Sequence, residues 1–476
     1  MISLERAGGT DGTAAHIPEK DAVSTVQHTE PSSYTKGTSE EKQLLRKIDW
    51  HLLPAIWLLY LIAYMDRANL GNARVAGMND ELGLSDTDFS LALNMFQISY
   101  IVFSPLSNTV LPRLPPSRYI SAIMLLWGIV VACMAAVRDA RHLYALRFLL
   151  GIFEAGFSPA VLYLFSMWYT RRETARRFMV FWSASIMSGA FAGILAGAIS
   201  GGLDGAHGIP GWRWLFIVEG VVTVAVALGT PFVLIDYPAT CHKFTPAEKR
   251  LAIERLQADG FDVGDSERSR SGLSLARSLW SALTTPAFWL FYISFMTVDG
   301  SFTLNNFYPT LVKALGYDSV TAQYMTAPLY VVVLPVAITM SFVGDRWPQY
   351  RAYFIAGVMA WAALFAALTA GVRLFAARYV LMCLLNIGLY SSVPLVLAFA
   401  TTAFATVQPE VRSVALAIMV GYANAAQIAT SYLWPDSDSP RYIMGFATHA
   451  AIACLSSVFY LFNNFWISRK PLKARL

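Results

Sequence analysis

Four ionisable residues of this 476-residue chain sit where the surrounding sequence is apolar: Asp66 and Arg67 in YLIAYMDRANLGNA, and Arg147 and Glu154 in RFLLGIFEAG. A charge at the centre of a bilayer costs roughly 2.5–3.5 kcal/mol or more, so such residues pair or line a wet cavity. Two chemistries fit two acids and two guanidiniums. The four groups lock helices together by ion pairing, or they bind an anion. In the second case an arriving carboxylate adds negative charge, and a proton taken up by Asp66 or Glu154 restores the balance while releasing an arginine to grip the substrate.

The elements that carry these residues must be long helices. The chain is 56% hydrophobic and only 14% charged, which excludes an ordinary soluble domain. The apolar run Leu52 to Met65 measures only ~21 Å as a helix, so crossing ~30 Å requires the helix to continue through DRANLGNA. Asp66 then lies ~24 Å above Trp50, and Glu154 lies ~25 Å from Arg171 on a helix running the other way, so the two acids are level. Arg147 precedes Glu154 by two turns and projects from the same face, ~10 Å nearer the outside.

Apolar windows recur at about 50–77, 89–111, 118–137, 142–168, 178–200, 212–235, 284–310, 321–343, 351–371, 376–403, 411–433 and 441–466, most of them long enough for the ~20 residues a crossing helix needs. The pattern predicts an all-α membrane protein of twelve transmembrane helices in two pseudo-symmetric six-helix bundles. Residues 1–45 read as a disordered cytosolic tail, 46–235 as the first bundle, 236–283 as a cytosolic central loop, 284–467 as the second bundle and 468–476 as a cytosolic tail. Thr245-Pro246 and Glu248 carry the signature of a capped, amphipathic surface helix within the loop. The bundles are related by a weak repeat: Asp66 and Asn72 match Asp299 and Asn305, and Arg118 matches Arg351, all at an offset of 233. Such repeats characterise secondary transporters, whose substrate sites lie between the repeats near the midplane. Basic residues crowd the segments on the side of the termini, among them Arg171, Arg172, Arg176 and Arg177, which puts both termini in the cytosol.

The remaining sequence narrows the reading. Net charge is +5 and implies no nucleic-acid partner. Cys133, Cys241, Cys383 and Cys454 lie too far apart for a disulfide framework or a zinc site and are expected to pack; no metal or other cofactor is implied. Gly189, Gly193, Gly197 and Gly201, four apart, favour close helix packing. Tyr308-Pro309 and Pro328 are expected to bend their helices. Asn305, Asn306, Asn386, Asn424 and Gln427 are amides in apolar surroundings that bond a neighbouring helix or face a substrate. Asp299, the repeat counterpart of Asp66, is a second proton site or else a helix-capping or asparagine-bonded residue, and Glu219 is expected to pair with Arg213 or another charge near the outer surface. Trp50, Trp168, Trp212 and Trp434 read as interfacial residues, and His51 and His449 as lying near the interfaces.

Several stretches stand out: MDRANLGNARVAGM; RFLLGIFEAGFSPA followed by WYTRRETARR; GWRWLFIVEG; DYP and AEKRLAIERLQADG; and GDRWPQYR. Together, over nearly the whole chain after residue 45, they resemble the major facilitator superfamily, and within it the anion:cation symporter family, especially the fungal allantoate and nicotinate permease-like branch. The resemblance implies that Arg67 contacts a substrate carboxylate, that Asp66 and Glu154 carry protons, and that Arg147 tunes Glu154. Arg147, Asn305 and Asn424 are candidate substrate contacts beside Arg67, and Asp345 with Arg346 is a candidate gate. The loop LSNTVLPRLPPSR departs from the superfamily in lacking the Asp-Arg pair that Asp345 and Arg346 retain in the second half.

The resulting expectation is a monomeric, multi-pass plasma-membrane transporter, not an enzyme, that imports a small organic anion such as a vitamin, ureide or sugar acid together with protons. An exporter of an acidic metabolite and a non-transporting nutrient sensor are the alternatives.

Overall fold

The computed structural model describes residues 37–110, 114–259, 272–404 and 409–469. Every regular element among them is helical, and twelve helices are long and apolar enough to cross a membrane. They are α1 (Ser39–Val75), α2 (Asp86–Val110), α3 (Pro116–Met134), α4 (Ala140–Trp168), α5 (Arg171–Gly202), α6 (Gly211–Val233), α7 (Pro286–Asn306), α8 (Ser319–Arg346), α9 (Arg351–Gly371), α10 (Phe375–Ala403), α11 (Val414–Leu433) and α12 (Ile443–Arg469). In lipid a helix satisfies every backbone donor and acceptor within itself, which is why this apolar chain folds only this way. Large apolar side chains such as Val221, Leu228, Phe232, Phe342 and Leu364 are left exposed, and the bilayer is the solvent that suits them.

Polar residues mark where helices start and proline marks where they bend. Thr38 caps α1, its Oγ accepting the Glu41 amide at 3.2 Å, so the helix begins inside the segment expected to be tail. Residues 1–36 lie outside the described residues. Thr170 and Glu173 form a reciprocal capping box at α5. Thr245 and Glu248 form another at a surface helix, Pro246–Ala258, as their spacing predicted. A further helix, Gly272–Leu283, precedes α7. α7 tightens to a 3-10 turn over Ser301–Asn306 before Tyr308-Pro309 opens a new short helix, and α8 is interrupted near Pro328.

Twelve crossings return the chain to the side on which it started, here called the terminal side. Within the first bundle α3 packs on α6, α1 on α5 and α2 on α4; within the second α9 packs on α12 and α10, α7 on α11 and α12, and α8 on α10. The bundles meet where α5 crosses α8 and α2 crosses α11. The glycine row of α5 makes the first crossing possible: Gly189 faces the Tyr330 ring, Gly193 faces Thr326 and the Gln323 carbonyl, Gly197 faces Tyr324, and Gly201 faces Val320. The bonds that join the bundles gather on the side away from the termini. Ser200 donates to Gln323 Oε1 at 2.8 Å, Gln323 donates to the Asn72 carbonyl at 3.2 Å, and Ser90 donates to the Ser431 carbonyl at 2.9 Å. Towards the terminal side a cavity separates the bundles.

Ion pairs bracket both ends. On the terminal side Arg255 of the surface helix reaches Glu41 at 2.8 Å and Glu173 at 2.7 Å, Lys47 reaches Glu248 at 2.8 Å, and Arg177 reaches Asp49 at 2.6 Å. On the far side stands Arg74. It is buried in the last turn of α1 and pairs with Asp86 at 2.7 Å and Asp436 at 2.9 Å. Three tryptophans expected at the interfaces are inside instead, because each has an interior contact. Trp168 donates to the Asp236 carbonyl at 2.9 Å, Trp212 donates to Glu81 at 2.6 Å, and Trp434 packs on Phe446. Trp50 is exposed, whereas His449 is buried beside Trp434.

Candidate functional site

Asp66 and Arg67 are adjacent on α1, so their side chains diverge by ~100° around the helix. Arg67 points into the cavity between the bundles, and Asp66 points back into the first bundle, where it is 2% exposed. Trp127 Nε1 on α3 and Thr223 Oγ1 on α6 each donate to Asp66 Oδ2 at 3.1 Å.

Arg67 Nε donates to Glu154 Oε1 in a direct ion pair that joins α1 to α4. Glu154 is buried while the arginine side chain keeps 20% exposure on the cavity side, so the pair presents a guanidinium edge to whatever enters. The rings of Tyr64, Phe96 and Tyr100 surround that guanidinium at 4.8, 5.1 and 4.9 Å from their centroids. Such rings stabilise the cation without neutralising it and leave its hydrogen-bond donors for an anion. Arg147, 1% exposed, touches the same cavity, and its Nε and one terminal nitrogen have no hydrogen-bond partner. Glu154 and Asp66 are the acids within its electrostatic reach.

The opposite wall belongs to the second bundle and is an amide lattice. Gln427 Nε2 donates to Asp299 Oδ2 at 2.9 Å and to Asn424 Oδ1 at 3.3 Å, and Gln97 of the first bundle donates to Gln427 Oε1 at 2.8 Å. Asn305 lines the cavity with its Oδ1 unpaired. Asn386 does not reach the cavity; it accepts from Tyr308 at 2.9 Å and donates to the Leu329 carbonyl at 2.7 Å, holding α10 to α8. The enclosed space is about 530 Å³ and runs toward the terminal side past Ser104, Tyr163, Phe178 and Leu397. It suits a small molecule.

The structure therefore brings Arg67, Arg147, Asn305 and Asn424 to one cavity with Glu154 directly behind it, and leaves Asp66 one layer deeper. Asp345 and Arg346 stand apart from it. Asp345 is exposed and accepts from Arg351 at 3.0 Å rather than from Arg346, and Arg351 also donates to the Gly344 carbonyl at 3.0 Å and the Ala398 carbonyl at 3.1 Å. The first-half counterpart of this turn falls partly on residues 111–113, outside the described residues.

Glu219 does not pair with Arg213. The two are six residues apart, about 240° around a helix, and cannot meet. Glu219 Oε2 instead accepts from Asn69 on α1, and Arg213 pairs with Glu81 at 2.9 Å. Among the described residues no cluster of three His, Cys, Asp or Glu side chains could hold a metal ion.

Comparison with known proteins assigns this architecture. The Major Facilitator Superfamily profile matches residues 56–431. The chain belongs to the Major Facilitator Superfamily. It is 30% identical to the MFS transporter prlL of Fungal sp. (strain NRRL 50135), over 95% of this chain and 94% of that one. It is 26% identical to the high-affinity nicotinic acid transporter of Saccharomyces cerevisiae, over 91% and 79%. Among solved structures, an inward-facing, unoccupied bacterial homologue of the human lysosomal transporter Spinster superposes with a TM-score of 0.64 at 16% identity, covering 92% of this chain and 98% of that one, which shows the shared fold. As a member of this superfamily the chain is a membrane transporter.

Proposed function

We propose that this transporter imports a small organic anion together with protons across the plasma membrane, with both termini in the cytosol, as a member of the anion:cation symporter family. The observation that carries the reading is the Arg67–Glu154 pair: a cavity-facing guanidinium held by a buried acid. A substrate carboxylate and Glu154 compete for the same cation. A proton on Glu154 ends that competition, so anion and proton bind better together than either does alone, which is the thermodynamic requirement for symport. Arg67 takes the carboxylate as a bidentate partner, Arg147 holds a second positive charge next to Glu154, and Asn305 and Asn424 meet the polar groups at the other end of the molecule. The yeast relative named for nicotinic acid, an aromatic carboxylic acid, is consistent with an arginine framed by three aromatic rings. Asp345 and Arg346 contribute to the gate on the terminal side when it closes, and the protein works as a monomer.

The test is uptake of labelled carboxylates, nicotinate included, by cells expressing the chain with acid outside. Wild type is compared with Glu154→Gln and with added protonophore. Accumulation that collapses under both treatments is the expected result. Accumulation that survives Glu154→Gln removes the coupling role of Glu154, and loss of preloaded compound without uptake reverses the direction to export.

A further inference from the structure

The buried charges of the first bundle do not balance. In the middle of the bundle Asp66, Glu154 and Glu219 are 2%, 1% and 6% exposed and face the guanidiniums of Arg67 and Arg147; Arg74, also buried on α1, is committed to Asp86 and Asp436 at the far end. α3 brings Trp127 to the cluster and α6 brings Thr223, neither of them charged. Across the cavity α7 brings a further acid, Asp299, which deepens the deficit.

Asp66 and Asn69 are three apart on α1, and Glu219 and Thr223 are four apart on α6, so each pair shares a helix face. The faces meet as two rungs, Thr223 donating to Asp66 and Asn69 donating to Glu219. One oxygen of each acid, Asp66 Oδ1 and Glu219 Oε1, is left buried with no hydrogen-bond partner. The two rungs stand side by side on the same pair of helix faces, which puts the two acids in one buried layer. Two ionised carboxylates with bare oxygens cannot share such a layer at no cost, whereas one proton on either acid removes their mutual repulsion.

We propose that Asp66 and Glu219 together hold one proton behind the substrate cavity, making Glu219 a proton-holding group of the transport cycle. This rests on the proton-coupled reading above and deepens it. With one resident proton this mid-bundle set is neutral: three acids, two guanidiniums and one proton. A monoanion on Arg67 then calls for one more, which Glu154 takes. Glu219 stands apart from the cavity lining, so it acts through Asp66 and not on the substrate.

Infrared difference spectroscopy of the reconstituted wild-type protein and variants, at neutral pH and without substrate, tests the pair by the carbonyl stretch of protonated carboxyls. Glu219→Gln preserves size and the acceptor for Asn69; Asp66→Asn is the second variant should the first fold poorly. Either substitution should abolish the same single band, because the remaining acid ionises once its partner is neutral. No band lost in either variant, or two separate bands lost one per variant, overturns the shared proton. The measurement needs no transported compound. A shared band alongside protonophore-resistant accumulation would sink the symport reading while leaving this one standing.

Discussion

At the scale of single residues the Arg67–Glu154 pair is the sharpest constraint, because Glu154 is buried and its partner is what keeps it tolerable as an anion. Removing one member of a buried pair leaves the other uncompensated, at a cost of about 3–5 kcal/mol, whereas removing both is far milder. Arg67→Gln should therefore lower the thermal unfolding midpoint in detergent, and adding Glu154→Gln should recover most of the loss. A double variant no more stable than Arg67→Gln alone would mean the pair is not the reason these residues coexist. Arg67→Lys keeps the charge but not the two-pronged donor geometry or the stacking against Tyr64, Phe96 and Tyr100. Uptake by that variant is expected to fall by about tenfold or more, the loss from one charge-assisted hydrogen bond of about 1.5–3 kcal/mol; unchanged uptake would remove Arg67 from the substrate's first contacts.

At the scale of elements the α5–α8 crossing depends on absent side chains. A methyl group at Gly193 would press on the Gln323 carbonyl at 2.6 Å as well as on Thr326 Oγ1. A carbonyl in a helix cannot swing aside, so Gly193→Ala is expected to cost about 1–3 kcal/mol through overpacking. Gly357→Ala on α9, where nothing lies within 4 Å, is the control that should leave the unfolding midpoint unchanged or raise it. Equal effects of the two substitutions would refute the packing argument. The glycine row was legible in the sequence because its spacing matches the turn of a helix, as were the twelve spans and the Thr245–Glu248 box, where composition and local spacing are the whole signal. The charges of α1 and α4 were legible for a related reason, since lipid leaves a charged residue few fates. What could not be read was direction. Sequence depth put Asp66 and Glu154 on one level, but only the packed bundle turns Arg67 to the cavity and Asp66 to Trp127 and Thr223. The role of Arg74 was hidden because its partner Asp436 is 362 residues away. The three buried tryptophans likewise owe their positions to tertiary partners that hydropathy does not see.

At the scale of the whole molecule the conformation is a balance between the two sides, and the far side is held shut by few groups. Arg74, with a side chain 5% exposed, is tied to Asp86 in its own bundle and to Asp436 in the other. Asp436 in turn accepts from Tyr442 at 3.1 Å, and its backbone amide donates to Asp86 at 2.7 Å. Because the Asp436 side chain is 59% exposed, the cross-bundle ion pair contributes only about 0–1 kcal/mol by itself. Its position gives it leverage, since it crosses the seam that must part for substrate to enter from outside. Asp436→Lys replaces an attraction with a repulsion against a buried arginine. A change of about 1–2 kcal/mol in the closing equilibrium moves the open population by a factor of 5–30. Spin labels at the exposed far-side positions Asp80 and Arg373 would read this as growth of a longer distance population in double electron–electron resonance. If the distribution with Asp436→Lys matches wild type, the far gate is held by α5–α8 packing, and Gly193→Ala should be the substitution that opens it. If the longer population grows, the Arg74 cluster is the far-side latch, and the anion bound at Arg67 must be what favours its closing, because a ligand shifts an equilibrium only by its preference for one state.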